Sequence, residues 1–367
     1  MIRRLYVHNF RCLENFELSV LGQSSVLLIG KNGSGKTTVG LALEILQKIA
    51  RGTNQVSDLV RPKDLTRGRT DAPMRFEIEA EIKDQIYEYI IAFDYPDGFR
   101  QLRVFEEKLL VGGKAVYTRE AAQVNLARIQ LEKEARFRID WHLVALPIVQ
   151  ENSEKDALFI FKQWLSRMLI LRPIPSLITG DSTEETLQPD PQVVKFGAWF
   201  SGLLGYAPSA YTRIDEYLKQ VMPDIRDIKN PITGKESKTL TLQFANGHEA
   251  ISIPFEDLSD GEKCFMICAL VLASNSAYGP VTCFWDEPDN YLALSEVGHF
   301  ILALRKVFDA GGQLITTSHH PEAINRFSED NTLILFRRNH LEPTLIRPVS
   351  QMQIEGDLVS ALIRGDV

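Results

Sequence analysis

The sequence predicts an α/β protein in which a parallel sheet is interrupted by an inserted antiparallel β lobe and an inserted helical lobe. Short runs that are almost entirely apolar, such as Ser25–Ile29, are typical of strands buried on both faces. Further runs of this kind alternate with helical patterns after residue 280. From Arg75 the hydrophobic period changes to two, which predicts antiparallel strands, and from about Glu154 helical spacing dominates.

Composition narrows the class of protein. The chain has 367 residues, a formal net charge of −7 and 44% hydrophobic residues, which is ordinary for a soluble globular protein. The charge argues against a wholly basic nucleic-acid coat but allows a local basic groove. No apolar run reaches the roughly 20 residues of a membrane-spanning helix, and the start shows no signal peptide. We therefore expect a cytoplasmic protein without a membrane partner. Its four scattered cysteines are expected to be reduced thiols, outside any zinc site: Cys12, Cys264, Cys268 and Cys283.

A glycine-rich loop follows the first buried strand and matches the phosphate-binding pattern G-x-x-x-x-G-K-[ST]. It reads Gly30-Lys31-Asn32-Gly33-Ser34-Gly35-Lys36-Thr37, and a helical pattern comes directly after it. The glycines let backbone N–H groups turn towards phosphates, and the helix N-terminus adds the positive end of its dipole. We expect Lys36 to reach the β- and γ-phosphates of a nucleotide and Thr37 to bind Mg²⁺. The predicted nucleotide contacts here are Asn32, Gly33, Ser34, Gly35, Lys36, Thr37 and Thr38.

Two adjacent carboxylates, Asp286 and Glu287, end the apolar strand predicted at 281–285. Such a pair divides naturally into two roles, with Asp286 binding Mg²⁺ and Glu287 orienting or deprotonating an attacking water. Taken alone, an Asp-Glu pair after a strand is usually a solvated strand end. The phosphate-binding loop upstream favours the catalytic interpretation.

The run Leu258-Ser259-Asp260-Gly261-Glu262 precedes an apolar helix and resembles the signature motif of the ABC ATPases, whose usual form is L-S-G-G-[QE]. In that family the serine and glycine bind the γ-phosphate of ATP held by the opposite subunit, so the resemblance implies that Ser259 and Gly261 act in trans. Asp260 replaces the usual glycine, as in the SMC/RecF/OLD branch. The alternative is a helix N-cap at Ser259 or Asp260 with Glu262 nearby. Both interpretations are compatible because they use the same exposed N–H groups.

Three further segments resemble conserved elements of this branch. Ser318-His319-His320-Pro321 is similar to the switch-histidine segment; alignment on the proline puts His319 against the γ-phosphate, with His320 as the alternative. Gln150 lies where the Q-loop glutamine of the family is expected, although a solvated glutamine fits nearly as well. The D-loop corresponds to 290–294, where Ala293 replaces the Asp or His of many relatives, a departure that bears on subunit communication.

The long separation between Lys36 and Ser259 distinguishes the chain from ABC transporter subunits, and the opening Val7-His8-Asn9-Phe10-Arg11 is similar to that of SMC, RecF and OLD ATPases. The segment 202–221 resembles small AAA-labelled ATPases of bacterial defence systems. No coiled-coil heptads or hook are visible, and the segment after His319 is too short for a Toprim nuclease domain. The resemblance implies a P-loop ABC ATPase head. Its nucleotide-binding core is expected in residues 1–60 and 255–367, an antiparallel β lobe in 61–150, and a helical lobe with return strands in 151–254.

The function implied by this resemblance is ATP binding and hydrolysis with Mg²⁺. A homodimer would form around ATP and gate a separate effector protein, for example a nuclease, in DNA-associated processes such as DNA repair or in anti-phage defence. Basic residues at 61–69 indicate either a solvated loop or a DNA contact, so DNA is a candidate partner: Arg61, Lys63, Arg67 and Arg69. Two other functions fit the sequence less well. An energising transporter subunit is disfavoured by the long insertion, and an ATP-holding scaffold with negligible hydrolysis is disfavoured by the Asp286–Glu287 pair.

Overall fold

The computed structural model describes residues 1–127, 135–233, 237–352 and 358–364. Its strands are β1 (Ile2–His8), β2 (Phe16–Ser19), β3 (Ser25–Ile29), β4 (Met74–Ile82), β5 (Gln85–Asp94), β6 (Arg103–Val111), β7 (Lys114–Glu120), β8 (Gln123–Leu126), β9 (Ala135–Arg138), β10 (Leu169–Leu171), β11 (Ile225–Lys229), β12 (Ile232–Thr233), β13 (Ser237–Lys238), β14 (Thr241–Asn246), β15 (Glu249–Pro254), β16 (Thr282–Trp285), β17 (Gln313–Thr317), β18 (Thr332–Phe336) and β19 (Leu345–Pro348). Its helices are α1 (Lys36–Ala50), α2 (Val56–Leu59), α3 (Ala157–Ser166), α4 (Phe196–Tyr206), α5 (Ala210–Val221), α6 (Asp260–Tyr278), α7 (Leu294–Asp309), α8 (Pro321–Ile324) and α9 (Leu358–Arg364). The predicted mixture of parallel and antiparallel sheets with helices is confirmed.

The chain forms two compact units. The first comprises Met1–Gln23, Ile29–Met168 and Leu333–Met352. The second comprises Ser24–Leu28, Leu169–Thr332 and Gln353–Val367. Both units are built from distant parts of the sequence, so neither corresponds to one continuous segment. The four-part division predicted from the sequence stays a prediction.

An antiparallel sheet dominates the first unit, with the strand order β2-β1-β4-β5-β6-β7-β8-β9. Its central strands carry the period-two pattern that predicted them, and in β4 buried side chains alternate with partly exposed ones. Phe76 packs edge-on against Phe10 and Phe93, with ring centroids 5.2 and 6.3 Å apart respectively. The sequence did not indicate that β1 and β2 join this sheet. They join it because β1 pairs with β4, where Tyr6 lies opposite Glu77.

Four parallel strands form the centre of the second unit, in the order β10-β16-β17-β3. All side chains of β16 and β17 are buried, as expected for strands covered on both faces. The register places Trp285 opposite Leu171 on one side and Thr316 on the other, so the carboxyl ends of the strands lie level. Residues that follow these strands therefore meet at one edge of the sheet. The Trp285 ring packs edge-on against Phe300 of α7, 5.5 Å between centroids.

One helical prediction was wrong at its end. The helical spacing that starts near Glu154 predicts Met168 on the apolar face of a helix, but α3 ends at Ser166. The buried strand β10 starts only two residues later, at Leu169. A three-residue apolar strand next to an apolar helix cannot be separated from that helix by periodicity alone.

Burial settles the state of the cysteines. All four are free, and Cys264, Cys268 and Cys283 are buried. Burial raises the pKa of the Cys264 thiol to about 12, so this side chain stays protonated near neutral pH. No helix among the described residues is long and apolar enough to cross a membrane.

Candidate functional site

The loop after β3 has the backbone that a phosphate-binding loop needs. Gly30, Gly33 and Gly35 have φ angles of 145, 79 and 104°, which favour glycine. A Cβ on Gly30 would lie 2.0 Å from the Leu335 carbonyl oxygen, so no larger residue fits there. Gly35 also caps α1 and, having no side chain, leaves the first N–H groups of that helix to a ligand. The loop is therefore a ready anion site at a helix N-terminus.

The side chains of this loop differ in burial. Lys36 is only 6% exposed, and its Nζ donates to the carbonyl oxygen of Gly30 at 2.8 Å, which keeps the ammonium over the loop. Ser34 is buried, and its Oγ lacks a hydrogen-bond partner in the described part of the chain. Thr38 lies 3.6 Å (Oγ1) from the Cys12 sulfur. The other predicted nucleotide contacts, Asn32, Gly33 and Thr37, are exposed.

A turn between β18 and β19 contacts the same loop, and the sequence did not point to it. Thr344 donates from its Oγ1 to the Ser34 carbonyl oxygen at 2.8 Å. Its backbone N–H donates to the carbonyl of Cys12 at 2.9 Å. Arg337 donates to the Gly33 carbonyl at 3.3 Å. These residues fix the outer side of the glycine loop. Contacts between such distant parts of the chain cannot be predicted from a short motif.

At the carboxyl ends of β16 and β17, one hydroxyl group joins the two predicted carboxylate residues. Thr317 donates from Oγ1 to Asp286 Oδ1 at 2.7 Å and accepts the backbone N–H of Glu287 at 2.9 Å. Glu287 has a φ of 50°, a left-handed conformation that is costly for a residue with a side chain. Thr317 therefore helps to stabilise a strained turn that directs the Asp286 and Glu287 side chains to different partners.

The Glu287 carboxylate lies between two polar side chains. His319 Nε2 is 3.4 Å from Glu287 Oε1, and Asn290 donates from Nδ2 to Oε2 at 2.6 Å. His320 is oriented differently, because its Nδ1 accepts the backbone N–H of Glu322 and caps α8. Of the two histidines left open by the sequence, His319 is thus the one beside the carboxylate.

Beneath these groups lies a buried carboxylate that the sequence analysis missed. Asp289 is 4% exposed, and its Oδ2 accepts a hydrogen bond from Ser318 Oγ at 2.7 Å. Burial raises the pKa of Asp289 above its ordinary value, and the Ser318 hydrogen bond opposes that effect. The only available signal was its position three residues after Asp286, which assigns no role by itself.

The signature-like residues lie at the start of α6. Ser259 caps this helix: its Oγ accepts the backbone N–H of Glu262 at 3.3 Å, and the Glu262 carboxylate accepts the N–H of Ser259 at 2.7 Å. The capping interpretation is therefore confirmed, while phosphate binding stays a prediction. Because the Ser259 hydroxyl acts as an acceptor in the cap, its own O–H can still donate to a phosphate. Gly261 lies near the Tyr291 carbonyl oxygen, which would be 3.0 Å from a Cβ at this position.

The weaker predictions have mixed surroundings. Gln150 is exposed. Lys162 Nζ donates a hydrogen bond to the backbone carbonyl of the preceding residue, Val149, at 2.7 Å. In the basic loop, Arg67 and Arg69 both pair with Glu14, the first at 2.7 Å. These ion pairs favour the solvated-loop interpretation over a DNA contact.

A glycine loop of the form G-x-x-x-x-G-K-[ST] between a buried strand and a helix defines a P-loop nucleotide-binding protein. The chain belongs to the family described as "AAA domain, putative AbiEii toxin, Type IV TA system", whose model matches residues 25–325. A comparison with curated protein sequences gives no match.

Solved structures of SMC heads share the fold. One is the SmcHead bound to the C-winged helix domain of ScpA, at 14% identity and a TM-score of 0.57, covering 95% of this chain and 97% of that one. Another is the Smc head domain with an extended coiled coil, bound to the C-terminal domain of ScpA derived from Pyrococcus furiosus. It is 13% identical with a TM-score of 0.51, covering 100% of this chain and 98% of that one. The fold is thus that of an SMC head domain.

Proposed function

We propose that the protein is an ATP hydrolase that works as an ATP-dependent homodimer. The observation that supports hydrolysis most directly is the division of labour between Asp286 and Glu287. Asp286 accepts from Thr317, whereas Glu287 lies beside His319 and Asn290. A protein that only stores ATP has no need for a carboxylate paired with a histidine at this strand end.

The residues present fit ATP and Mg²⁺. The uncapped helix start at Gly35 and the partnerless Oγ of buried Ser34 suit a phosphate, which accepts hydrogen bonds from both kinds of donor. The hydroxyl of Thr37 and the carboxylate of Asp286 are hard oxygen ligands of the kind that Mg²⁺ takes alongside phosphates. When bound, Mg²⁺ neutralises the charge that develops on the phosphates.

The remaining steps belong to the side chains of the chain itself. Lys36 would bind the β- and γ-phosphates. Glu287 would orient the attacking water and accept its proton. His319, next to Glu287, would contact the γ-phosphate and so make the carboxylate's position depend on it. Asn290 already binds the other oxygen of Glu287 and limits its rotation.

In the proposed dimer, Ser259 and Gly261 of one copy bind the γ-phosphate held by the other copy. Two features support this arrangement. The start of α6 exposes Ser259, and the large side chains of Tyr291 and Leu294, in the predicted D-loop, are 44% and 75% exposed. Only ATP, and not ADP, would connect both copies, so hydrolysis would release them.

We further propose that the cycle gates a separate effector in the cytoplasm. Support comes from the SmcHead structures, which contain the partner protein ScpA. The family description names a toxin of a type IV toxin–antitoxin system, and this favours anti-phage defence as the setting. A role on DNA is compatible with the SMC-like fold, but the paired arginines of the basic loop do not support a contact there.

The proposal is tested with Glu287→Gln, Lys36→Ala and the surface control Glu184→Gln, whose carboxylate pairs with exposed Lys195. ATP turnover with Mg²⁺ is measured together with molar mass by light scattering. We expect turnover in wild type and the control. Glu287→Gln should lose at least about 100-fold in kcat and accumulate as a dimer in ATP, because its site binds without hydrolysing. Lys36→Ala should do neither.

Wild-type turnover in Glu287→Gln would show that another residue is the base. A monomer at every ATP concentration would exclude the dimer. The Glu287→Gln protein is also the bait for the effector: after purification from the native host in ATP, co-purifying proteins are identified by mass spectrometry. We expect an effector that is lost on Lys36→Ala; recovery of a membrane permease in its place would contradict the gating proposal.

A further inference from the structure

Asp289 and Ser318 form a buried pair behind the predicted hydrolytic residues. Their exposed fractions are 4% and 1%, and the Ser318 hydroxyl donates to Asp289 Oδ2 at 2.7 Å. The same Ser318 oxygen accepts the backbone N–H of His320 at 2.9 Å. Through one carboxylate and one hydroxyl, the residues on both sides of His319 are connected to the turn that carries Glu287. His319 itself is exposed beside the Glu287 carboxylate.

Two buried polar atoms at this pair have no hydrogen-bond partner among the described residues. His320 Nδ1 accepts the N–H of Glu322, so a neutral imidazole must carry its proton on Nε2. His320 Nε2 and Asp289 Oδ1 are both buried and both lack a hydrogen-bond partner within the described ranges. One is a donor and the other an acceptor, and buried groups of this kind are normally satisfied. His320 also opposes the upward shift of the Asp289 pKa that burial causes.

We infer that Asp289 is a positioning residue for the switch segment: its Oδ2 binds Ser318, its Oδ1 is an open acceptor for a hydrogen bond from His320 Nε2, and the carboxylate so fixes His319 against Glu287. Asp289 is only 4% exposed, so its assigned role is positioning and not catalysis. It acts because His319 lies between two residues that the carboxylate fixes, and a freely moving His319 would leave Glu287 without a defined neighbour. The inference rests on the proposed function, since it assigns a role within the same hydrolytic site.

The geometry distinguishes between substitutions at this site. Asp289→Ala removes both oxygens: the buried hydroxyl of Ser318 loses its acceptor, and the open acceptor for His320 Nε2 is removed as well. Asp289→Asn keeps one oxygen for Ser318, so most of the positioning should survive. Ser318→Ala removes the hydroxyl that connects Asp289 with the backbone N–H of His320. The matched control is Ser201→Ala, a serine of the same unit that is equally buried and bonds Ser182 at 3.3 Å, remote in sequence from the site.

The experiment measures kcat and KM for ATP together with the thermal midpoint of each variant. We expect about a tenfold lower kcat in Asp289→Ala and in Ser318→Ala, as for the loss of one hydrogen bond to a charged group. KM should stay within about twofold, because the phosphate-binding loop is unchanged. Asp289→Asn should recover most of kcat, and Ser201→Ala should keep the wild-type value even where its thermal midpoint falls.

The decisive comparison uses a His319→Ala background. If Asp289 acts through His319, Asp289→Ala has no further effect on kcat once His319 is absent. Multiplicative losses, or a loss of kcat in Ser201→Ala equal to that in Ser318→Ala, would overturn the inference. A wild-type protein without ATP turnover would refute the proposed function. Turnover that depends on Glu287 but is unaffected by Asp289→Ala would refute this inference alone.

Discussion

Thr317 offers the most direct test of how the two carboxylates are arranged. Its hydroxyl donates to Asp286 Oδ1 at 2.7 Å and accepts the Glu287 N–H at 2.9 Å. The residue is fully buried at the end of β17, so no solvent can replace the hydroxyl. Thr317→Val removes it with almost no change in volume, and Thr317→Ser keeps it. The two variants therefore separate the hydroxyl from the shape of the side chain.

The expected magnitude follows from these contacts. A hydrogen bond to a charged group contributes about 1.5–3 kcal/mol. If the whole of this free energy is lost from the stabilisation of the transition state, kcat falls by about 10- to 150-fold. The partly buried Glu287 N–H, left without its acceptor in a strained turn, adds about 1 kcal/mol of destabilisation. Thr317→Ser should remain within about threefold of wild type in kcat.

The assay is steady-state ATP turnover at several Mg²⁺ concentrations, with chemical denaturation of the same samples. A folded Thr317→Val protein with wild-type kcat would refute the proposed arrangement. So would equal losses in Thr317→Val and Thr317→Ser, because the hydroxyl could then not be the cause. A loss of stability alone, with kcat unchanged, would show that Thr317 serves the fold and not the chemistry.

Two further predictions concern the first unit. Gly35→Ala should lower stability by about 1–3 kcal/mol and abolish ATP binding, because the φ of 104° disfavours Ala and the new Cβ would lie 2.8 Å from Thr344 Oγ1. Thermal midpoints and nucleotide titration measure the two effects. Tight ATP binding by the variant would contradict the prediction. Glu107→Ala should cost about 3–5 kcal/mol, since this buried carboxylate pairs with buried Arg119 and accepts the N–H groups of Ala145 and Leu146. In denaturant titrations, the exposed control Glu17→Ala should change the unfolding free energy by less than about 1 kcal/mol, and an equal loss in both variants would show that burial of Glu107 is unimportant.

Much of the fold followed from local patterns. A strand buried on both faces is an apolar run, and a glycine loop before a helix is a short motif, so the segment from β3 to α1 was predicted with its boundaries. The antiparallel strands from β4 onward followed from their period of two, and α6 from its long apolar run after a capping serine. In each case the signal lies within about 20 neighbouring residues, where periodicity and capping operate.

Longer-range features were not predicted, and they share a physical cause. The entry of β1 and β2 into the antiparallel sheet depends on pairing with β4, and the contact of Thr344 with Ser34 joins residues from the two ends of the chain. Neither contact produces a periodic pattern in the sequence, because a hydrogen bond between distant segments constrains where the two segments lie and not their local composition. The same holds for Asp289 and Ser318, each unremarkable in its own segment.

The sequence by itself thus predicted the groups on which the proposed chemistry depends: a phosphate-binding loop, a carboxylate pair and a histidine, each following a buried strand. Only the tertiary structure decided how those groups are held. It placed His319 beside Glu287 while His320 caps a helix, and it put the Thr317 hydroxyl between the two carboxylate residues. The reason is that parallel strands far apart in sequence align their carboxyl ends only when their register is formed, and register is a property of the folded sheet.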